Sequence, residues 1–287
     1  MTTTIEPAQA DRGRRRLVSF DLTRKCQLAC THCYNGSGPA GTHGTMTRDD
    51  WTRVLNQAAE YGVSSVQFIG GEPTTHPDLH QLTGHALHLG LAVEVFSNLV
   101  RVTEADWTLF ALPGVCVATS YYSDQVSIHD AVTGRASHGR TRANIGRAVR
   151  LGIALRVGIV TVGGSDDGGA ARADLEALGV TRIHVDRVRE FGRGARGRAA
   201  DMSELCGHCG AARTAIDPTG KVSPCVMSAF VGVGNVKDDP LGSIIDGTAM
   251  RQATASIRAA VRGRAACAPA DEECNPGYPP SECNPKN

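Results

Sequence analysis

The chain lacks a long apolar run, a secretory signal and a strong net charge. Nowhere in its 287 residues does an apolar stretch approach the roughly 20 residues that a membrane-spanning helix needs. The first residues also lack the apolar core of a secretory signal. A formal net charge of +1 gives no general attraction for nucleic acid or for acidic membranes. We therefore expect a cytoplasmic protein with no nucleic-acid partner and no membrane partner.

A disulfide framework is not expected either. Ten cysteines occur in a chain without an export signal, and thiols in a reducing compartment serve metal binding more often than disulfide bonding. Aromatic residues are scarce at 5%, but a hydrophobic content of 41% suffices for a sizeable core. The length suits one large domain, or one domain with a small appendage.

Short apolar runs alternate with longer amphipathic runs over most of the chain. The apolar runs predict strands at residues 17–21, 65–69, 92–97, 115–119, 155–162 and 182–185. The amphipathic runs predict helices at residues 48–61, 78–89, 104–112, 142–151 and 169–178. This alternation is typical of parallel βα units with right-handed crossovers. The predicted fold class is α/β, a partial (β/α)6 TIM-like barrel with a small Cys-rich C-terminal extension.

Three cysteines follow the first predicted strand at C-x3-C-x2-C spacing: Cys26, Cys30 and Cys33. An iron–sulfur cube normally takes four protein thiolates, so three leave one iron open for a small ligand. In such a barrel the functional residues lie at the C-terminal ends of the strands, where this loop would lie. A structural zinc knuckle is the alternative.

After residue 198 the pattern changes. Residues 192–198 read as a linker, and from Asp201 onward the sequence lacks long helical periodicity. The run Asp217-Pro218-Thr219-Gly220 predicts a turn between two strands of a hairpin. The proline-rich tail at residues 267–287 cannot bury much apolar surface and is expected to need metal to be ordered. The candidate metal ligands of the region after residue 198, for an iron–sulfur cluster or alternatively for zinc, are Cys206, Cys209, Cys225, Cys267, Cys274 and Cys283.

Together with a Gly-Gly-Glu-Pro run after the second strand, the three-cysteine motif resembles the signature of radical SAM enzymes. The resemblance covers about residues 17–198 and implies a [4Fe-4S] cluster with an open iron site that binds S-adenosylmethionine (SAM). The residues that it assigns to SAM binding are Tyr34, Gly70, Gly71, Glu72, Pro73, Asn98 and Ser120. Glu72 is expected to accept a hydrogen bond from the SAM ammonium group.

The C-terminal region resembles the auxiliary-cluster extension called SPASM, or its shorter relative, the twitch domain. Cys209, Gly220 and Cys225 match the opening of that pattern, whereas the spacing of the last three cysteines departs from it. The resemblance implies at least one auxiliary iron–sulfur cluster. The expected domains are a flexible basic leader at 1–16, a radical SAM core at 17–198 and an auxiliary cluster domain at 199–287.

The resemblance implies an enzyme that reductively cleaves SAM and uses the 5′-deoxyadenosyl radical to abstract hydrogen from a substrate. The leading hypothesis is maturation of a ribosomally synthesised precursor peptide by crosslinking, epimerisation or a related reaction. The alternatives are an epimerase or dehydrogenase acting on a sugar or aminoglycoside-type metabolite, and a non-catalytic iron–sulfur or zinc protein. The expected partners include an external one-electron reductant. Residues 1–16 are too few for a winged leader-binding domain, so a separate leader-recognition protein is a further expectation.

A second group of polar side chains follows the fourth predicted strand. Its members are candidate substrate contacts, although a solvated loop explains them equally well: Tyr121, Tyr122, Ser123, Asp124 and His129. Cys116 lies early in that strand and is expected to pack in the core.

Overall fold

The computed structural model describes residues 17–162, 168–210 and 212–261. Within these residues nine strands form one sheet in the order β6-β5-β4-β3-β2-β1-β7-β8-β9. The first six strands are parallel to their neighbours: β1 Leu17–Asp21, β2 Ser65–Ile69, β3 Ala92–Phe96, β4 Val115–Tyr121, β5 Leu155–Thr161 and β6 Ile183–Arg187. The remaining strands are β7 Arg213–Ile216, β8 Lys221–Ser223 and β9 Gly234–Asn235.

Six helices connect the parallel strands: α1 Arg48–Glu60, α2 Leu79–His88, α3 Glu104–Phe110, α4 Val126–Thr133, α5 His138–Arg150 and α6 Gly169–Ala177. Two more follow the hairpin, α7 Leu241–Ile245 and α8 Thr248–Val261. Both α1 and α3 begin with a capping box, and in α1 Thr47 and Asp50 satisfy each other's backbone N–H groups. No helix in the described part of the chain is long and apolar enough to cross a membrane.

The main core lies between the outer face of the sheet and the helices. Alternate strand residues point to this side, so β-branched and aromatic side chains supply it. Phe20, Trp51 and Phe68 are fully buried there, with ring centroids of Phe20 lying 5.6 Å from Trp51 and 5.7 Å from Phe68. Burying side chains of this size contributes about 1.5–3 kcal/mol each.

The inner face of the sheet carries a buried polar network instead. Ser19 donates to Gln67 at 3.0 Å, and Gln67 donates to Glu94 at 2.6 Å. The guanidinium of Arg156 binds both carboxylate oxygens of Glu94 at 2.7 Å. Each member therefore has a polar partner, which is what makes buried charge tolerable. Cys116 is buried beside this network, as predicted, with its sulfur 3.9 Å from Glu94 Oε2.

The α/β fold class is confirmed, and the predicted strands are all present with small shifts at their ends. Strand β4 continues to Tyr121, so Ser120 and Tyr121 belong to the strand instead of following it. Helix α4 occupies residues where the sequence analysis expected a loop, and it ends at Gly134, whose φ of +69° suits a left-handed cap. The fifth helix begins earlier than predicted, at His138.

The C-terminal extension differs from expectation in two ways. The turn at Asp217–Gly220 does join two antiparallel strands, but β7 also pairs parallel to β1, so the extension continues the barrel sheet. Helix α8 contradicts the expected absence of long helical periodicity. Its buried residues Met250, Ala253 and Ile257 follow the spacing of one helix face, so the helical pattern is present in the sequence and was overlooked. The boundary predicted at residue 198 stays a prediction.

Candidate active site

One cavity opens at the C-terminal ends of the barrel strands, and the cysteine loop forms one wall of it. Eight of the ten residues predicted to bind the first cluster or SAM line this cavity: Cys26, Cys30, Cys33, Tyr34, Gly70, Gly71, Asn98 and Ser120. Glu72 and Pro73 lie behind that lining and are buried. The cavity also has lining residues that the sequence analysis did not select as site residues, among them His32, Arg156, His184, Asp186, Arg189 and Arg193.

Backbone hydrogen bonds fix the cysteine loop against the end of α4. The amide of Ala29 donates to the carbonyl of Thr133 at 3.0 Å, and the amide of Thr31 donates to Val132 at 2.9 Å. Gly134 follows directly, and a Cβ atom there would lie 2.9 Å from the Ala29 carbonyl oxygen. The unpredicted helix α4 therefore positions the cysteine loop.

Arg193 also holds the loop, although its segment was interpreted as a linker. Its side chain donates to the carbonyls of Cys30 and Ser37, both at 2.7 Å, and its backbone N–H donates to the Cys33 carbonyl at 2.9 Å. Gly192 approaches so closely that a Cβ atom would lie 2.4 Å from that same carbonyl oxygen of Cys33. The linker prediction is wrong, because residues 192–195 form a 3-10 turn packed on the cysteine loop.

The three thiols suit a multinuclear metal group. Burial raises the pKa of Cys26 to about 12, with the Glu72 carboxylate adding to the effect. Burial and the neighbouring Cys33 raise the pKa of Cys30 to about 11. Cysteine ligands bind metal as thiolates, so the positive charge of the irons would have to offset the cost of ionising these buried thiols. Each cysteine of a cube binds its own iron, so the three need not converge on one ion. No three His, Cys, Asp or Glu side chains within the described residues are placed to hold a single metal ion.

The Gly-Gly-Glu-Pro loop packs directly on the chain just before the first cysteine. The Gly71 amide donates to Thr23 at 2.6 Å, and a Cβ atom on Gly71 would lie 2.4 Å from the Lys25 carbonyl oxygen. Only glycine permits so close an approach.

Glu72 is fully buried, and both of its carboxylate oxygens have protein partners. Oε1 accepts from the backbone and the hydroxyl of Thr74, at 3.1 and 2.8 Å, and Oε2 accepts from the Asn98 amide at 2.8 Å. These hydrogen bonds lower the pKa of Glu72, but burial has the larger effect and raises it. The carboxylate thus ties the glycine loop to the chain after β3. Its expected contact with the SAM ammonium group stays a prediction.

Two ring side chains that were not predicted to bind a cofactor stand beside the cysteines. Tyr122 lines the cavity together with Cys30 and Ser120. His32 packs edge-on against Tyr122, with ring centroids 5.0 Å apart. Burial lowers the pKa of His32 to about 4, and its Nδ1 atom has no hydrogen-bond partner among the described residues. His32 therefore lines the cavity as a neutral imidazole.

The extension brings Cys206, Cys209 and Cys225 together, as the hairpin prediction requires. The sulfur atoms of Cys209 and Cys225 lie 3.1 Å apart. Hydrogen bonding from the Cys209 thiol lowers the pKa of Cys206 to about 5 and lowers the pKa of Cys225, while the pKa of Cys209 itself is raised. All three cysteines could be thiolates at the same time only if a cation lay among them and offset their negative charges. Tyr34 packs against this group and directly follows Cys33, so its ring lies between the two sets of cysteines.

Three further predicted ligands, Cys267, Cys274 and Cys283, lie outside the described residues. The donor set within the described residues is therefore three thiols, which are part of the ligand set of an iron–sulfur site and are not placed to hold a single metal ion.

Comparison with protein families decides the class. A model described as the radical SAM superfamily matches residues 20–177, more than half of the chain. The chain belongs to the radical SAM superfamily. A second model, SPASM, described as an iron-sulfur cluster-binding domain, matches residues 206–275. These matches confirm a radical SAM enzyme with a SPASM extension. They also confirm the predicted cofactors: a [4Fe-4S] cluster, SAM and auxiliary iron–sulfur.

Among curated proteins, this radical SAM chain is similar to enzymes named PqqA peptide cyclase. The protein from Streptomyces rochei is 34% identical over 186 residues, which are 64% of this chain and 51% of that protein. The protein from Rhodopseudomonas palustris is 30% identical over 200 residues, 66% of this chain and 51% of that protein. The chain thus spans about half the length of the curated relatives it matches.

Among solved structures, the chain is similar to Streptococcus suis SuiB bound to the precursor peptide SuiA. The TM-score is 0.70 at 17% sequence identity, over 85% of this chain and 66% of that chain. At this identity the likeness shows the fold alone, and it confirms a partial barrel followed by an extension.

Proposed function

We propose that this chain matures a ribosomally synthesised peptide by radical chemistry. The observation that carries the proposal is the single cavity that joins the cysteine loop and the glycine loop to a wall of charged side chains from β5 and β6. The relatives named PqqA peptide cyclase support a peptide substrate, because their similarity extends over 64–66% of this chain. The bond that is formed or changed is left to experiment.

In this proposal each wall of the cavity has its own task. Cys26, Cys30 and Cys33 hold the cluster, and the backbone of Gly70 and Gly71 contacts the methionine end of SAM. A reduced cluster held there would supply the one electron that splits SAM into methionine and a 5′-deoxyadenosyl radical, which would abstract hydrogen from the substrate. Asn98 and Ser120 present polar groups beside the cysteines.

The opposite wall is the proposed substrate surface. Ion pairs hold its side chains in place: Arg189 binds Asp186 at 3.2 Å, and Arg187 binds Glu204 at 3.0 Å. Side chains fixed in this way present hydrogen-bonding groups without a large entropic cost on binding. Apolar residues at the cavity, Ile69, Phe96 and Met227, exclude water from the space between the two walls.

The second set of cysteines is proposed to ligate an auxiliary cluster beyond Tyr34, with ligands completed from Cys267, Cys274 and Cys283. An external one-electron reductant and a separate leader-recognition protein complete the proposed system. Glu72 and Pro73 are proposed to shape the SAM site from behind its lining.

The test uses the full chain, reconstituted with iron and sulfide under anaerobic conditions. It is incubated with SAM, a reductant and synthetic peptides encoded beside its gene, with and without any leader-binding protein encoded there. Mass spectrometry should show loss of two hydrogen atoms for a crosslink, or deuterium uptake from D2O for an epimerisation. A Cys26/Cys30/Cys33→Ala variant should leave the peptides unchanged.

Two results would contradict the proposal. If 5′-deoxyadenosine is released with a sugar or aminoglycoside-type metabolite while every peptide stays intact, the small-molecule alternative holds. If no 5′-deoxyadenosine is released under any condition, the non-catalytic alternative holds.

A further inference from the structure

The side-chain amide of Asn98 faces one of the three cysteine sulfurs. Its Nδ2 atom lies 3.6 Å from Cys26 Sγ, within the range of an N–H···S hydrogen bond. The backbone N–H of Leu28 approaches the same sulfur at 3.4 Å. Cys26 is buried among Leu28 and Val100, so a hydrogen bond there acts in apolar surroundings and is strengthened.

The orientation of the Asn98 amide follows from its neighbours. The backbone N–H of Val100 is an unambiguous donor and lies 2.9 Å from Asn98 Oδ1. The atom facing Val100 must therefore be the oxygen, which leaves the NH2 group facing Cys26. Gln27 then donates its own Nε2 to the same oxygen at 2.9 Å. Two donors on Oδ1 oppose a flip of the amide.

A strained turn presents this amide. Leu99 has a φ of +55° although it is neither glycine nor asparagine and is fully buried. Such a backbone conformation is strained and persists only where its surroundings over-determine it. Helix α5 supplies that constraint, because Thr141 donates to the Asn98 carbonyl at 3.1 Å and Asn144 donates to the Leu99 carbonyl at 2.7 Å.

We propose that Asn98 donates a hydrogen bond to the cluster-bound sulfur of Cys26 and thereby raises the reduction potential of the cluster, with Gln27 as the residue that orients it. A donor at a ligand sulfur withdraws electron density and stabilises the reduced cluster. Glu72 helps to position Asn98, because its carboxylate accepts a hydrogen bond from the Asn98 backbone N–H behind the cavity lining. Asn98 thus acts on the cluster through its ligand, a role beyond the contact with SAM expected from the resemblance.

The test is a redox titration of the reconstituted full chain, followed by electron paramagnetic resonance without SAM or substrate. The signal missing from the Cys26/Cys30/Cys33→Ala variant identifies this cluster among the auxiliary ones. Asn98→Leu removes the donor at similar volume, Asn98→Asp turns a carboxylate oxygen toward the sulfur, and Gln27→Leu removes one of the two donors that hold Asn98 Oδ1. Thr141→Val is the matched control, since it loses a hydrogen bond to the same turn without touching the sulfur.

The midpoint potential should be lower than in the wild type for Asn98→Leu, lowest for Asn98→Asp, and intermediate for Gln27→Leu. Thr141→Val should match the wild type. Equal potentials in Asn98→Leu and Thr141→Val would overturn the proposal. If the Asn98 variants lose iron, Gln27→Leu decides, and a wild-type potential there would also overturn it. Because no substrate is present, a failure of the peptide proposal does not affect this result.

Discussion

Replacing Arg193 by alanine should loosen the cysteine loop. The substitution removes two hydrogen bonds of 2.7 Å, to the carbonyls of Cys30 and Ser37, from a charged donor. Hydrogen bonds to charged groups contribute roughly 1.5–3 kcal/mol each, and the loop is partly exposed at Cys30 although Ser37 is buried. We therefore expect a loss of about 2–4 kcal/mol in the free energy that opposes opening of the loop.

Hydrogen exchange of the metal-free protein measures this loss directly. A tenfold change in an equilibrium corresponds to about 1.4 kcal/mol, so amides of residues 26–38 should exchange roughly 30-fold faster even at the lower figure. Arg193→Lys keeps the charge but not the forked geometry and should fall between wild type and Arg193→Ala. The control is Arg196→Ala, an exposed arginine at the end of the same 3-10 turn. Equal exchange in Arg193→Ala and Arg196→Ala would refute the reasoning.

Three further predictions concern stability and are tested by thermal or denaturant unfolding. Gly71→Ala should destabilise the protein by about 1–3 kcal/mol, because its Cβ atom would lie 2.4 Å from a carbonyl oxygen. Gly84→Ala, at a helical position with open space around it, should stabilise the protein by roughly 0.5–1 kcal/mol. Equal effects of the two substitutions would contradict this prediction. Arg156→Leu should lower the free energy of unfolding by about 3–5 kcal/mol, because the buried Glu94 carboxylate loses its ion-pair partner. Adding Glu94→Leu should restore part of this stability. A double variant no more stable than Arg156→Leu would contradict the prediction. Hydrogen bonds from the Thr47 backbone and hydroxyl lower the pKa of Asp50 from 3.8 to about 2. The free energy of unfolding of the wild type should therefore exceed that of Asp50→Asn by its full amount above pH 3.8, and this difference should vanish as the pH falls through about 2. A difference that persists below pH 2 would show another cause.

The sequence predicts those parts of the fold that local patterns determine. The strands Leu17–Asp21 and Ser65–Ile69 have the predicted bounds because β-branched and aromatic residues begin and end abruptly there. The spacing of the three cysteines is likewise a local pattern, so the sequence alone predicts the candidate cluster site.

What the sequence did not reveal depends on contacts between distant residues. Arg193 follows Cys30 by 163 positions, and nothing in its glycine-rich segment marks it as a support of the cysteine loop. The extra length of β4 places Tyr122 beside the cysteines, but strand ends are set by pairing with β5, which a single sequence does not display. The buried setting of Glu72 depends equally on a distant partner, the backbone of Asn98.

The central claim is that Cys26, Cys30 and Cys33 hold a cluster with an open iron where SAM binds and is cleaved. The most direct test measures 5′-deoxyadenosine from the reduced, reconstituted protein with SAM, beside single Cys→Ala variants of these three residues and of Cys116. The account predicts release from the wild type and from Cys116→Ala, and none from the other three variants. Release that survives loss of Cys26, Cys30 or Cys33, or a wild-type protein that carries zinc there and releases nothing, would contradict it.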